Sequence, residues 1–255
     1  MRRGGNFKIR LLFGLAIVAF AFFKKCNNQQ VNPYTGKKQT INMTTDQEIA
    51  IGLQSAPGMA QQHGGLYPDQ AAQDLVDKVG NRLVQSSIGR KTPYRYEFHL
   101  LRDPNTINAF ALPGGQIFIT YALYSKLQNE DQLAGVLGHE IGHVLGKHSA
   151  ERIAESSFWK TISMGASVGA DMGGIASQIA NSTLLKNGRG DELESDELGV
   201  KFMLDAGYRP EEMIGVMEIL KANSGGRRVP EYKSSHPDPE NRIEHIKAAI
   251  RKYRK

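Results

Sequence analysis

Two histidines and a glutamate stand in the order His139-Glu140-Ile141-Gly142-His143, inside the apolar, glycine-dotted stretch LAGVLGHEIGHVLGKHSAE. On a helix, residues four apart share a face, so His139 and His143 can aim both imidazoles at one ion. Glu140 sits one step round, beside the ion, where it can hold a water and act as general base. The chemistry is metal-assisted hydrolysis, and zinc suits it, needing a third protein ligand and a fourth position open to water or substrate. One zinc ion per chain is expected. The plain alternative is a core helix whose histidines are merely satisfied. Val136, Leu137, Ile141, Val144 and Leu145 give the motif the apolar surroundings that an active-site helix requires. Gly138, Gly142 and Gly146, also four apart, would let another backbone come close.

A third ligand has to come from another element, and GRGDELESDELGVKFM lies downstream. Its Glu192 and Asp196 are four apart and share a face. Glu192 can bind the ion, while Asp196 can accept the second ring N–H of His143 and fix its tautomer. Asp191, Glu194 and Glu197 are assigned to the ordinary preference of carboxylates for a helix start. The segment SSHPDPENRI offers His236 and Arg242 as stabilisers of a tetrahedral oxyanion, with His236 alternatively an inhibitory extra ligand. His63, His99, His148 and His245 have no partner at useful spacing and are assigned to surface or packing. His148, five residues beyond His143, falls off the metal face.

The rest of the chain must position these groups. Its 255 residues are 40% hydrophobic and 23% charged, enough for a globular domain with a real core. The net charge of +6 is spread along the chain or gathered at its two ends, with no basic stripe interleaved with aromatics, so nucleic-acid binding is not expected. A single cysteine, Cys26, excludes a disulfide framework and a cysteine zinc cage. Residues 68–87 and 131–147 read as helices, the first amphipathic and the second carrying the motif. Thr45 with Glu48 reads as a capping box opening a helix. YRYEFHLL alternates like a strand, and INAFALPGGQIFIT reads as a hairpin around Pro113-Gly114-Gly115. Three helices, 191–206, 210–222 and 239–253, close the chain. The fold class is α+β, with helices around one small sheet. Residues 150–185 are rich in small residues, with Gly165, Gly169 and Gly173 four apart. Close packing in a soluble domain or a mobile lid is expected there, with residues 164–174 the segment that could cover the cleft, its glycines allowing movement.

The N-terminus is a different kind of sequence. MRRGGNFKIR is basic, LLFGLAIVAFAFF is uninterrupted apolar, and KKC follows. The apolar run rises only about 20 Å as a helix, short of a bilayer core of roughly 30 Å. Residues 1–26 are therefore expected to be a signal or membrane-anchor segment, 27–45 a polar linker, and 46–255 the catalytic domain. The first segment is either cleaved, lipidated at Cys26 or kept as an anchor, and its basic start sends the remainder out of the cytoplasm.

HEIGH, the later Glu192-x-Glu194-Ser195-Asp196-x-x-Gly199, and NPYTGKKQ, INAFALPGGQIFIT and HPDPENRI together resemble family forty-eight of the metallopeptidases, the gluzincins. The resemblance runs from about Asn32 to the C-terminus, and the single apolar segment matches a single-anchor or exported bacterial branch. It implies a zincin-like domain, mostly helical around a small mixed sheet, with zinc on His139, His143 and Glu192, Glu140 catalytic, Asp196 behind the ligands, and the His-Pro segment near the metal. The expected function is zinc-dependent endoproteolysis of misfolded or membrane-associated proteins on the periplasmic side. The polypeptide would bind as an extended strand beside NAFAL. Rival readings are a chaperone-like or assembly factor that retains the zinc site, and an integral-membrane structural protein built on the Gly165–Gly173 face. No signal for oligomeric state is present.

Overall fold

The computed structural model describes the backbone of residues 4–170, 188–223, 236 and 241–254. These fall into two compact units, one of residues 1–43 with 150–186 and the other of residues 44–149 with 187–255.

The second unit holds a sheet of three strands, β3 (Glu97–Leu101), β4 (Ala109–Ala111) and β5 (Gln116–Thr120), in the order β3-β5-β4. β5 runs parallel to β3 and antiparallel to β4, so the sheet is mixed. Every residue of β5 is buried, as its run QIFIT, apolar at both faces, requires of a central strand. The β4–β5 hairpin turns at Pro113-Gly114-Gly115, where φ of 82° and 113° at the two glycines demands residues without a Cβ.

Helix α2 (Thr45–Gln62) lies on that turn, with the backbone of Gly52 against the Pro113 carbonyl. It starts one residue earlier than its capping box was placed. Thr44 accepts from the Gln47 N–H and Gln47 reaches back to the Thr44 N–H, so Glu48 is free of capping. Glu48 instead turns inward, buried, to meet Lys147 at 2.6 Å. Helix α3 (Gln70–Ser86), capped by Asp69, buries Val76, Val79, Leu83 and Val84 on one stripe, as its periodicity predicts.

Helix α5 (Glu130–Leu145) follows the single turn α4 (Tyr121–Tyr124). Asn129 caps it by accepting from Gln132 N–H, and from Gln132 to Leu145 every residue is buried. Against it packs α7 (Arg189–Asp205), with α8 (Glu212–Ala222) and α9 (Arg242–Tyr253) completing the unit. The expected glycine approach occurs at two of three positions. A Cβ on Gly142 would stand 2.9 Å from the backbone of Ser195, and one on Gly138 would stand 3.4 Å from that of Gly199. Gly146 makes room instead for the ring of His148, 2.4 Å from where its Cβ would be.

The first unit pairs α1 (Gly4–Asn27) with α6, whose full span is His148–Ala170. Gly14, Ile17, Val18 and Ala21 form the covered stripe of α1, at helical spacing. A Cβ on Gly165 would meet the carbonyl of Gly14 at 2.8 Å, and Phe22 stands edge-on to Phe158 at 5.2 Å. The remainder of α1 is bare, with Phe13, Phe20 and Phe23 each more than 60% exposed. Among the described residues no helix is long and apolar enough to cross a membrane. Residues 27–45, expected as linker, contain a hairpin of β1 (Gln29–Val31) and β2 (Lys38–Thr40). The polar residues that suggested a linker build its turn: Asn32 is buried and accepts from the N–H of Tyr34 and Thr35, and Gly36 has φ of 75°. Gly173 and the rest of residues 171–174 of the expected lid, with the Pro239 helix start, lie outside the described residues; residues 164–170 of that segment are the last turns of helix His148–Ala170, and α9 is described from Arg242.

Candidate metal centre

His139 and His143 project from one face of α5, their Nε2 atoms 3.0 Å apart. Glu192, in the first turn of α7, reaches between them. Its Oε2 lies 3.5 Å from His139 Nε2 and its Oε1 3.4 Å from His143 Nε2. His236 brings a fourth donor, with Nδ1 3.0 Å from Glu192 Oε1 and 3.4 Å from His139 Nε2. One donor atom from each of the four lies within 4.8 Å of the rest, and all four residues are buried. Beside them, both carboxylate oxygens of Glu140 are buried without a hydrogen-bond partner. Orphaned buried carboxylate oxygens are costly unless water or an ion belongs there. Three nitrogen donors and a carboxylate within that span fit a metal ion of the zinc type. The seven residues singled out in the sequence, His139, Glu140, His143, Glu192, Asp196, His236 and Arg242, are brought to one place.

The outer groups are arranged differently from expectation. Asp196 Oδ1 lies 2.8 Å from Nδ1 of His139, not His143. The reason is the way α7 crosses α5: its Ser195 backbone meets Gly142, which sets Asp196 beside the earlier histidine. Arg242 is buried, donating from Nε and Nη2 to the two oxygens of Asp196 at 2.5 and 2.8 Å, with Nη1 3.3 Å from Glu192 Oε2. Its charge thus faces both Asp196, behind His139, and Glu192, between the two histidines.

The second ring nitrogen of His143 meets His148, Nδ1 to Nδ1 at 2.8 Å. His148 is fully buried, and its Nε2 lies 3.0 Å from Glu194 Oε2 and 3.8 Å from Asp191 Oδ1. This corrects the assignment of His148 to packing, and of Glu194 and Asp191 to the helix dipole alone. In a continuous helix a residue five positions on would lie about 140° round from His143. The helix is not continuous: Lys147 takes a left-handed φ of 55°, and the chain folds back so that the His148 ring returns under His143. A glycine just past the last periodic residue was the available signal of a helix end. His63 also has a partner, Asp103 Oδ2 at 3.1 Å, and His99 faces Gln116, while His245 is exposed as expected.

Charge in the cluster is strongly biased by burial. Burial pushes the Glu140 carboxyl up from its ordinary value, which suits a group that must both take and return a proton. Burial likewise pushes His143 well below the usual imidazole range and holds it neutral. Burial works the same way on His139, but hydrogen bonds to Asp196 and Glu192 prevail and raise it to about 9. Asp196 and Glu192 are both held low against burial, the first by Arg242 and the second chiefly by His236 and His139.

A narrow apolar crevice lies beside His139 and Glu140, lined by Leu123, Val136, Met213, Val216 and Leu220 among others. On the other side stands β4, the edge strand. The N–H of Thr120 bonds the carbonyl of Asn108, and that of Leu112 bonds the carbonyl of Gln116. Ladder bonds in an antiparallel pair alternate, so Ala109 and Ala111 direct their backbone groups away from β5. Both carbonyls on that free side are met by side chains, Ala109 by His236 Nε2 at 3.2 Å and Ala111 by Ser149 Oγ at 3.3 Å.

Residues 70–250 match the model of Peptidase family M48. The chain belongs to that family. Among curated relatives, a mitochondrial metalloendopeptidase OMA1 of Schizosaccharomyces pombe is 32% identical over 245 residues, covering 94% of this chain and 71% of that one. A beta-barrel assembly-enhancing protease of Yersinia pestis is 28% identical over 228 residues, covering 84% of this chain and 46% of its own length. The metalloprotease YcaL of Escherichia coli is 26% identical over 241 residues, covering 85% of this chain and 92% of its own. The chain spans about half the length of the beta-barrel assembly-enhancing proteases it matches, 46% and 53% for two of them.

Proposed function

We propose that this chain is a zinc-dependent endopeptidase that hydrolyses extended, unfolded segments of protein outside the cytoplasm, among them misfolded or membrane-associated chains. The observation that carries it is the buried group of His139, His143, Glu192 and His236, with the two carboxylate oxygens of Glu140 beside it, neither of them hydrogen-bonded. Zinc, held by His139, His143 and Glu192, would lower the pKa of its water and polarise the scissile carbonyl. Glu140 takes the proton of the attacking water and returns it to the leaving amine, a role for which its raised pKa prepares it. Asp196 holds the ring of His139, and Arg242 keeps Asp196 ionised. The substrate adds to the outer edge of β4, displacing the side chains that meet the Ala109 and Ala111 carbonyls, so that backbone hydrogen bonds supply affinity with little sequence preference. His236 occupies the fourth position until substrate displaces it.

The relatives named as proteases support this reading, as does the bare apolar surface of α1, which suits attachment to a membrane. The test is hydrolysis of an unfolded protein by the zinc-loaded full chain, with Glu140→Gln beside it. The variant is expected to keep about one zinc per chain and to lose hydrolysis, because it removes the base without touching a ligand. A zinc-loaded wild-type chain that binds unfolded protein without cutting it would instead point to the chaperone-like reading.

A further inference from the structure

With an ion at the centre, one arrangement of protons around His143 follows from the geometry. His143 faces Glu192 and His139 through Nε2, so a metal bound there would leave its proton on Nδ1. The atom 2.8 Å from that proton-bearing nitrogen is Nδ1 of His148, which has to be a bare lone pair to accept it. The proton of His148 then belongs on Nε2, where Glu194 waits at 3.0 Å and Asp191 at 3.8 Å. Ser195 Oγ, 3.4 Å from His148 Nδ1, is the longer and weaker contact.

We propose that His148 is a positioning residue for the metal centre: backed by Glu194 and Asp191, it fixes the ring of His143 and the nitrogen that His143 presents to the ion. This rests on the reading of the centre as a zinc site. His139 and His143 are then served by different devices from the same helix. His139 donates straight to a carboxylate, Asp196, whereas His143 donates to an imidazole that in turn donates to Glu194. An oriented acceptor behind a ligating histidine raises its basicity and removes its rotational freedom. The fold spends several features on the arrangement. Lys147 holds a left-handed backbone, pinned by its ion pair with buried Glu48, and Gly146 vacates the volume that the returning ring fills.

His148, Asp191 and Glu194 also lie close enough together to hold an ion of their own. The same proton count excludes simultaneous occupancy. An ion on Nε2 of neutral His148 would force its proton onto Nδ1, head to head with the Nδ1–H of a zinc-bound His143 across 2.8 Å.

The test measures zinc affinity by chelator competition, and the visible spectrum of the cobalt(II)-substituted protein, for the full chain and for His148→Leu, His148→Asn and Glu194→Gln. Thermal melts of the metal-free proteins report whether each variant folds. His148→Leu should lose roughly ten- to a hundredfold in zinc affinity and shift the cobalt bands. His148→Asn, whose amide oxygen can accept from His143, should recover most of that affinity, and Glu194→Gln should fall between. Equal loss in the Leu and Asn variants would reduce His148 to a packing residue, and no loss in either would remove it from the centre altogether. A second equivalent of metal in the wild type that disappears with Glu194→Gln would also overturn the relay. All of these are read from metal binding, so a chain that binds zinc but never cuts protein would refute the endopeptidase reading while leaving this one standing.

Discussion

At the scale of single residues, the centre is organised by which nitrogen of each imidazole is free to bind. Four histidines and three carboxylates meet within a few ångströms, and charge alone would allow many arrangements. The hydrogen bonds select one, with the Nε2 atoms of His139 and His143 turned inward and their Nδ1 atoms turned to Asp196 and His148. His236 is the exception, because its Nδ1 faces Glu192 and its Nε2 faces a backbone carbonyl. That carbonyl lies on the edge of β4 where the substrate is proposed to add, so a substrate strand that takes it would release His236. His236→Ala is therefore expected to raise the basal cleavage of an unfolded substrate and to loosen zinc slightly. If His236 instead steadies the oxyanion, the same change should cut the rate by roughly a hundredfold or more. Rate and zinc content, measured together, separate the two.

At the scale of elements, the centre depends on how closely α5 and α7 approach. The glycines on α5 set that distance, and they are not equivalent. A methyl at Gly138 would touch Gly199 at ordinary van der Waals range, 3.4 Å, whereas one at Gly142 would press on the Ser195 backbone at 2.9 Å. Backbone on backbone has no rotamer to yield. Gly142→Ala should destabilise the fold by about 1–3 kcal/mol, as overpacking does, and weaken zinc because Glu192 and Asp196 ride on the displaced helix. Gly138→Ala should stay within about 1 kcal/mol of wild type, since its contact distance is normal. Thermal melts and zinc titration of the two variants give the ranking, and equal effects would refute it.

These element-scale features also mark how far the sequence could be read. The helix periods, the Pro-Gly-Gly hairpin and the four-apart pairs were legible because helix and strand geometry turn spacing directly into faces. Glu192 could be chosen from its acidic neighbours on spacing alone. The partner of Asp196 could not, because it depends on the angle and depth at which α7 crosses α5, which no single-helix pattern contains. His148 was hidden by a different failure: spacing arguments hold only within one continuous helix, and a left-handed residue at Lys147 breaks it. The residues 27–45 misled through composition, since Asn, Pro and Gly build a tight hairpin turn as readily as a linker.

At the scale of the whole molecule, the chain combines a buried cluster of histidines and carboxylates with an N-terminal helix that leaves large apolar side chains bare. Phe7, Leu12, Phe13, Phe20 and Phe23 are each more than half exposed, flanked by Arg10, Lys24 and Lys25. Such a surface is unstable in water and suited to lipid, with cations at the headgroup level. Full-length chain should stay with membranes after alkaline carbonate extraction, and a chain starting at Gln30 should move to the supernatant. Recovery of both in the supernatant would remove the anchor reading.

One side chain, His236, touches both Glu192 at the metal and the Ala109 carbonyl on the strand edge. On the proposed reading, displacing His236 would open the metal position and uncover the Ala109 carbonyl in a single event, which would favour selectivity by length more than by sequence. If only about one molecule in a hundred is open, every substrate binds about a hundredfold more weakly than its contacts would allow, the good and the poor alike. A short peptide that reaches the ion alone must still expel the imidazole from the edge, with nothing to put in its place. A longer one lays its own N–H on the carbonyl it uncovers and recovers the loss. If the proposed function holds, folded proteins with short exposed ends would be poor substrates, and a segment long enough to run along β4 would open the enzyme by the act of binding it.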